Sequence, residues 1–295
     1  MKQNKNKIFW YVVAIAFVLV MLMVTRGMKK NKGISEETKE TNKATTEQQL
    51  STEEETAQLE KDPLTEGFLV GEPHMLSRQE ELDQLVYLKT DLQYYSFKGE
   101  KDTGAIAIDE AIANYLKSLE KEVNAFSKKA KSYYEDYIST EGEEGFKPYE
   151  YKVSTKLLRN DRSVVSMIVY TYRYEGGSHG DVVSYCLNFD SVTGKQLSLT
   201  DLLSPLSSVS KDAWRQEFVE RIVDQCQEKK DLKDDYETIV AGQLVEDGRW
   251  ALTAEGIQFV ADTYVLAPYS AGMLVFTIPT EEITWFETAY AFEDK

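Results

Sequence analysis

A long apolar run near the N-terminus constrains this chain more than any other feature. It begins at Ile8, ends at Val24 and comprises 17 consecutive apolar residues. A helix of that length spans about 25 Å, close to the apolar thickness of a bilayer. The residues from Thr25 to Lys30 offer no small-residue cleavage pattern, and no cysteine ends the run. We therefore expect an uncleaved membrane anchor over residues 8–25 rather than a removed signal peptide or a lipoprotein.

The residues on either side of the anchor differ greatly in number. Basic residues occur on both sides of the run, so the positive-inside rule does not decide its orientation. Residues 1–7 form a short tail, which we expect to be cytoplasmic, with the much larger C-terminal part outside the cytoplasm. Residues 26–62 are rich in Glu, Thr, Gln and Lys and poor in large apolar residues. We expect this segment to be a disordered acidic linker.

The composition excludes several classes of function. The chain has 50 Asp and Glu residues against 34 Lys and Arg, a net charge of −16, which argues against nucleic-acid binding. Only two His and two Cys are available, which argues against a structural zinc site and a disulfide scaffold. Both glycine-rich phosphate-binding motifs are absent. We expect no metal, no cofactor and no catalytic constellation, and therefore a protein that is not an enzyme.

The remainder of the chain has a globular pattern. Apolar residues at steps of three and four predict a helix over residues 108–137 and a second near residues 214–226. Strands and hairpins are predicted at residues 85–97, 149–158, 163–174, 181–189, 195–203, 250–260 and 272–279, with a short closing helix at 280–288. Strands thus occur in runs, with helices between the runs. This order predicts an α+β fold with a mainly antiparallel sheet and two packed amphipathic helices, in two halves covering residues 63–160 and 161–295.

Several sequence blocks carry a resemblance to a known family. Residues 172–180 read Tyr-Arg-Tyr-Glu-Gly-Gly-Ser-His-Gly, and residues 189–202 contain Phe-Asp-x-x-Thr-Gly-Lys-x-Leu-x-Leu-x-Asp-Leu. Residues 264–272 follow with Tyr-x-x-Ala-Pro-Tyr-x-x-Gly, and residues 276–279 with Phe-x-Ile-Pro. In order and spacing these blocks resemble the extracytoplasmic domain of RsiV-type anti-sigma factors. The same domain precedes the catalytic domain of PdaC-type peptidoglycan deacetylases, and the resemblance covers about residues 85–283.

The resemblance implies a binding or sensor module of the cell envelope. RsiV-type domains recognise lysozyme, a basic protein, so the resemblance suggests a basic protein such as lysozyme, or a cell-wall glycan, as the ligand. Residues 1–7 are too short for the sigma-binding segment of that family, and two His cannot supply the metal site of a deacetylase domain. We therefore expect the shared module without either output.

The glycine-rich block contains the candidate partner-binding residues, which are Tyr172, Tyr174, Gly176, Gly177, His179 and Asp181. His179 is either a ligand contact or a structural hydrogen-bonding group that fixes the turn. Tyr170, Tyr172 and Tyr174 share one face of a strand, where they either bind a partner or are ordinary sheet aromatics. The same two readings apply to the other tyrosines of the predicted strands, Tyr94, Tyr95, Tyr149, Tyr151 and Tyr185.

Two further alternatives concern the acidic residues and the cysteines. Glu175, Asp181, Asp190 and Asp201 offer carboxylates for a hydrolase that acts on envelope glycans, but Asp is favoured in turns, and we expect turn and capping roles for them instead. Cys186 lies in a predicted strand and Cys226 on the apolar face of a predicted helix. They either form a disulfide or remain buried free thiols.

Overall fold

The computed structural model describes residues 67–98 and 102–292. The predicted cytoplasmic tail, membrane anchor and acidic linker, residues 1–62, lie outside the described residues. Within the described ranges, no helix combines the length and the apolarity needed to cross a membrane.

A five-stranded mixed sheet forms the centre of the fold. The first seven strands are β1 (Leu69–Val70), β2 (His74–Leu82), β3 (Leu85–Tyr94), β4 (Phe97–Lys98), β5 (Tyr149–Asn160), β6 (Val164–Tyr174) and β7 (Asp181–Asp190). The sheet has the order β2-β3-β5-β6-β7, and β1 pairs separately with β4. All neighbours in the sheet are antiparallel except β3 and β5, which run parallel. A parallel pair requires a long crossover, and a helix supplies it here.

That helix, α1 (Thr103–Glu141), covers one face of the sheet. It has 39 residues and begins after Asp102, whose side chain accepts hydrogen bonds from the backbone N–H groups of Gly104 and Ala105. Apolar residues on one side of α1, including Ile108, Ile112, Leu119 and Phe126, pack against inward side chains of β5, β6 and β7. We call this cluster the α1 core.

A second, three-stranded sheet lies on the opposite face of the large sheet. It consists of β8 (Trp250–Thr253), β9 (Gly256–Ala261) and β10 (Leu274–Ile278). Its side chains Ala251 and Val260 pack against Ile168 of β6 and Cys186 of β7. Its other face packs against α2 (Lys211–Cys226), largely through aromatic side chains. A short helix, α3 (Tyr236–Ile239), continues as a π-helical turn, Val240–Leu244. The described fold therefore has four layers, in the order α1, large sheet, small sheet and α2.

The large sheet has two ends that matter for function. At one end, Asn160 closes β5, and its side-chain amide exchanges two hydrogen bonds with the backbone of Phe68 (3.0 and 2.7 Å). At the other end, the turn between β6 and β7 carries His179. We call these the Asn160 end and the His179 end. Strand β6 has 11 residues and runs between them, so the two ends lie about 35 Å apart.

Most predicted elements are confirmed, with three corrections. Strand pairing is mainly antiparallel as predicted, with one parallel pair, β3 and β5. Edge strand β2 was missed because its sequence is mostly polar. The predicted return strand at 195–203 is wrong: it makes a single bridge, through Gln196, and then a 3-10 turn, Leu199–Leu202. A capping box between Ser198 and Asp201 starts that turn. The predicted closing helix is two separate 3-10 turns, Thr280–Glu282 and Thr288–Tyr290.

Candidate functional site: an exposed ring stack at the His179 end

Three exposed rings meet at the His179 end of the sheet. The imidazole of His179 stacks on the ring of Tyr269, with centroids 4.2 Å apart and an interplanar angle of 17°. Tyr269 in turn contacts Tyr264, with centroids 5.5 Å apart. Tyr264 is 49% exposed and Tyr269 is 37% exposed. We call these three residues the ring stack.

The glycine-rich turn positions His179 from one side. Gly176 and Gly177 have φ values of +77° and +100°, a region that side chains with a Cβ rarely adopt. The carbonyl of Gly177 accepts a hydrogen bond from the Tyr174 hydroxyl (3.0 Å). The Nδ1 of His179 donates to the carbonyl of Gly180 (3.0 Å), so Nδ1 carries the proton. The hydrogen bond matches the structural interpretation of His179, and the ring itself is exposed.

The loop after β9 positions the two tyrosines. Pro268 precedes a single 3-10 turn, Tyr269–Ala271, and Gly272 ends it with a φ of +69°. Tyr264 has a φ of +65°, which is uncommon for a residue with a bulky side chain. Such conformations persist only where the surrounding structure enforces them, and they cluster at binding sites.

The remaining predicted site residues surround the stack in supporting positions. Tyr172 packs against Gly180, where an added Cβ would lie 2.2 Å from the tyrosine ring. The ammonium of Lys152 lies 5.6 Å from the centre of the Tyr172 ring. Asp181 is exposed and accepts a 3.4 Å hydrogen bond from Thr263, the neighbour of Tyr264. The predicted residues thus lie together, but most of the exposed aromatic surface comes from Tyr264 and Tyr269.

Sequence reasoning did not select Tyr264 and Tyr269 as site residues. Both belong to the block at residues 264–272 that carried the resemblance, yet that block begins 85 positions after His179 in the chain. The sequence feature that could have identified them is this second loop block, which contains tyrosines and a proline and carried the resemblance together with the glycine-rich block. Only the tertiary fold shows that the two blocks meet.

The other tyrosines of the strands have structural roles. Tyr149 and Tyr151 are buried in the α1 core, and Tyr185 stacks on Tyr115 of α1 (5.2 Å). Tyr170 packs between the two sheets, and Tyr94 stacks on His74 (4.9 Å). For most of these residues the ordinary-aromatic interpretation holds.

The four candidate carboxylates do not form one facing group. Asp181 begins β7 and Asp190 ends it, so they lie about 30 Å apart. Glu175 pairs with Lys129 of α1. Asp190 accepts hydrogen bonds from the backbone of Val192 and Thr193 (3.0 and 2.7 Å).

Asp201 has a capping role, since it closes the capping box with Ser198 and pairs with Lys195. Burial alone raises the pKa of the Asp201 carboxyl, but the hydrogen bonds from Lys195 and Ser198 outweigh it and leave the pKa lowered. These contacts match the turn and capping interpretation. Among the described residues, no group of three or more His, Cys, Asp or Glu side chains is placed to hold a metal ion.

Both cysteines are buried free thiols in different clusters. Cys186 lies between the two sheets, and Cys226 is the last residue of α2, buried in the cluster that α2 forms with the small sheet. Burial raises the pKa of Cys186 to about 12 and that of Cys226 to about 11. The structure thus has the free-thiol alternative rather than the disulfide.

We expect neither thiol to react with an aromatic disulfide reagent in the folded chain at pH 8, and both to react in concentrated urea. Thiolates are the reacting species, and burial suppresses both thiolate formation and access. Absorbance of the released thiol measures this directly. Absence of reaction in urea without a reductant would show instead that the two cysteines are joined.

Two family models match the described part of the chain in succession. Residues 83–181 match the model described as deacetylase PdaC, and residues 200–281 match the model described as a protein of unknown function, DUF3298. The chain therefore carries both domains, which confirms the resemblance found in the sequence. The glycine-rich turn closes the first matched region, and the loop with Tyr264 and Tyr269 lies in the second. No curated protein matches the chain significantly.

Two solved structures share the fold. One is a DUF3298 family member from Bacteroides fragilis NCTC 9343, with a TM-score of 0.51 and 15% identity, covering 74% of this chain and 93% of that one. The other is a DUF3298 family protein from Pseudomonas aeruginosa PAO1, with a TM-score of 0.52 and 16% identity, covering 79% of this chain and 99% of that one. At such identities the likeness concerns the fold.

Proposed function

We propose that this protein is a membrane-anchored, extracytoplasmic binding module of the cell envelope, and that the ring stack binds a basic protein such as lysozyme. The observation that carries the proposal is the exposure of three contacting rings, two of them stacked, at the meeting point of two loops. Exposed aromatic side chains that are already fixed in place are typical anchors of protein interfaces. Because His179 and Tyr269 stack before any partner arrives, binding orders few side chains.

The charge of the chain favours a basic partner. The net charge of −16 produces a long-range attraction that speeds encounter with a cationic protein. Lysozyme is basic and is the ligand that the resemblance suggests. An uncharged glycan would not be attracted by this charge. Added salt should therefore weaken the binding of a basic protein and leave the binding of a glycan unchanged.

The position of the ring stack suits a module held at its N-terminal side. Residues 1–66 join the fold at Gly67, next to Asn160, and the ring stack lies at the opposite end of the large sheet. A surface at the His179 end would therefore be directed away from the point where an anchor and linker attach. This arrangement supports a receptor that meets partners arriving from outside.

Calorimetric titration of the full chain with lysozyme tests the proposal. We expect binding in about 20 mM salt and an affinity at least ten-fold weaker in about 150 mM salt, because ions screen attraction over the longer distances. Titration with chitin oligosaccharides serves as the comparison. Absence of heat with lysozyme at both salt concentrations would contradict the proposal, as would binding of the oligosaccharide alone.

A further inference from the structure

We propose that Ser184 and Arg249 form, with the buried carboxylate of Asp262, a network that positions the ring stack for its partner; the binding part of this inference rests on the function proposed above. Asp262 is 6% exposed. Its Oδ1 accepts hydrogen bonds from the backbone N–H (2.8 Å) and the hydroxyl (2.5 Å) of Ser184. Its Oδ2 pairs with the guanidinium of Arg249, which also donates to the Ser184 carbonyl (3.3 Å).

The network joins the bases of the two loops that make the site. Ser184 lies in β7, five residues after His179, and Asp262 directly follows β9, two residues before Tyr264. The weaker contact between Asp181 and Thr263 runs alongside it. The two loops therefore have a fixed separation at their bases, which sets the contact between His179 and Tyr269.

The pattern of donors and acceptors makes this position specific for a carboxylate. Both oxygens of Asp262 accept hydrogen bonds, from the N–H and hydroxyl of Ser184 on one side and from the guanidinium of Arg249 on the other. An asparagine has one accepting oxygen, so its NH₂ group would face the donors of either Ser184 or Arg249. A buried donor facing a donor is left unsatisfied, which is unfavourable. We expect the loop to shift in order to relieve it, and the strained φ of Tyr264 to relax as it does so.

Nuclear magnetic resonance of the full chain labelled at histidine with ¹³C tests the positioning without any partner. Stacking on Tyr269 is expected to move the ring protons of His179 upfield, and D262N is expected to bring them close to the position of a free histidine. His74, which stacks on Tyr94 (4.9 Å), is the internal control and should keep its resonance. An H74Q variant identifies which signal is which. An unchanged His179 resonance in D262N would overturn the inference.

Affinity measurements complete the test. We expect D262N to bind lysozyme at least ten-fold more weakly than the unmodified chain, and E246Q, which removes the carboxylate of the more exposed pair Arg215–Glu246, to bind as the unmodified chain does. Should D262N fail to fold, R249K replaces it, since a lysine retains the charge but cannot contact Asp262 and Ser184 with a planar group.

The two proposals fail in different ways. Unaltered affinity together with a displaced His179 resonance would overturn the link between positioning and binding. If the unmodified chain does not bind lysozyme at all, the proposed function fails, whereas the resonance of His179 still decides whether the network positions the stack.

Discussion

The variant R159M is expected to lose about 3–5 kcal/mol of the free energy of unfolding, because it leaves a buried carboxylate without its partner. The Arg159 side chain is 2% exposed, and its Nε donates to Asp161 (2.6 Å). Its two terminal nitrogens donate to the carbonyls of Tyr290 (2.8 Å) and Ala291 (3.2 Å). One side chain therefore joins the β5–β6 hairpin to the C-terminal segment, and much of a typical domain stability of 5–15 kcal/mol depends on it.

Urea unfolding followed by tryptophan fluorescence measures this loss. R215M is the matched control, since Arg215 and Glu246 form a more exposed pair for which about 0–1 kcal/mol is expected. The double variant R159M/D161N removes both buried charges, while the amide oxygen still accepts from the backbone N–H groups of Ser163 and Val164, and it should recover part of the loss. A loss in R159M no larger than that in R215M would contradict the prediction.

The free energy of unfolding of R159M should also depend less on pH in the acid range. Burial by itself raises the pKa of Asp161, but hydrogen bonding and charge from Arg159, with backbone N–H groups of Ser163 and Val164, leave it lowered. Because the pKa of Asp161 is lower in the folded chain than in the unfolded chain, its carboxylate stabilises the fold. This stabilisation is complete at pH values above the unfolded pKa, which is near 4, and it is lost as the pH falls through the folded pKa. R159M should therefore lose less stability between about pH 5 and pH 2 than the unmodified chain does.

The second large effect concerns the ring stack. Y269A is expected to weaken lysozyme binding at least 30-fold, equivalent to about 2 kcal/mol or more, because its ring is the central one of the three. Its stability should change little, since Tyr269 is partly exposed and lies outside the core clusters. Calorimetric titration gives the affinity, and urea unfolding the stability.

Two variants control for the loss of a ring. Y269F keeps the ring and should bind within about three-fold of the unmodified chain, as expected if the face of the ring and not its hydroxyl makes the contact. L206A removes a side chain that is 96% exposed and belongs to neither of the two loops that carry the rings. Its affinity for lysozyme should equal that of the unmodified chain. Equal affinities of Y269A and L206A would show that the ring stack is not the contact surface.

The sequence predicts those elements of the fold whose pattern lies within a single segment, and it does not predict pairings between distant segments. The periodicity over residues 108–137 lies within α1, and the β-branched run at 163–174 matches β6, because both patterns reflect burial of one or both faces. Strand β2 was missed because the edge of a sheet places little demand on side-chain polarity. The parallel pairing of β3 with β5 depends on how the crossover through α1 positions β5 beside β3. No local sequence pattern indicates this position.

Of the two loops that form the candidate site, only the glycine-rich turn was predictable from the sequence. The glycines at 176 and 177 indicated a tight turn beside His179, and the turn is present with both glycines at positive φ. Tyr264 and Tyr269 gave no separate signal, because an exposed tyrosine in a loop is common and its neighbours come from a distant segment. The network around the buried Asp262 was equally hidden, since a carboxylate and an arginine 13 positions apart are ordinary in an acidic chain.

Hydrogen exchange of the full chain with and without bound lysozyme tests whether the ring stack is the surface that meets a basic protein. We expect slower exchange in two segments, residues 176–180 and residues 262–272, with no change near Asn160 at the other end of the sheet. Slower exchange confined to other segments, or identical exchange in both samples, would contradict it.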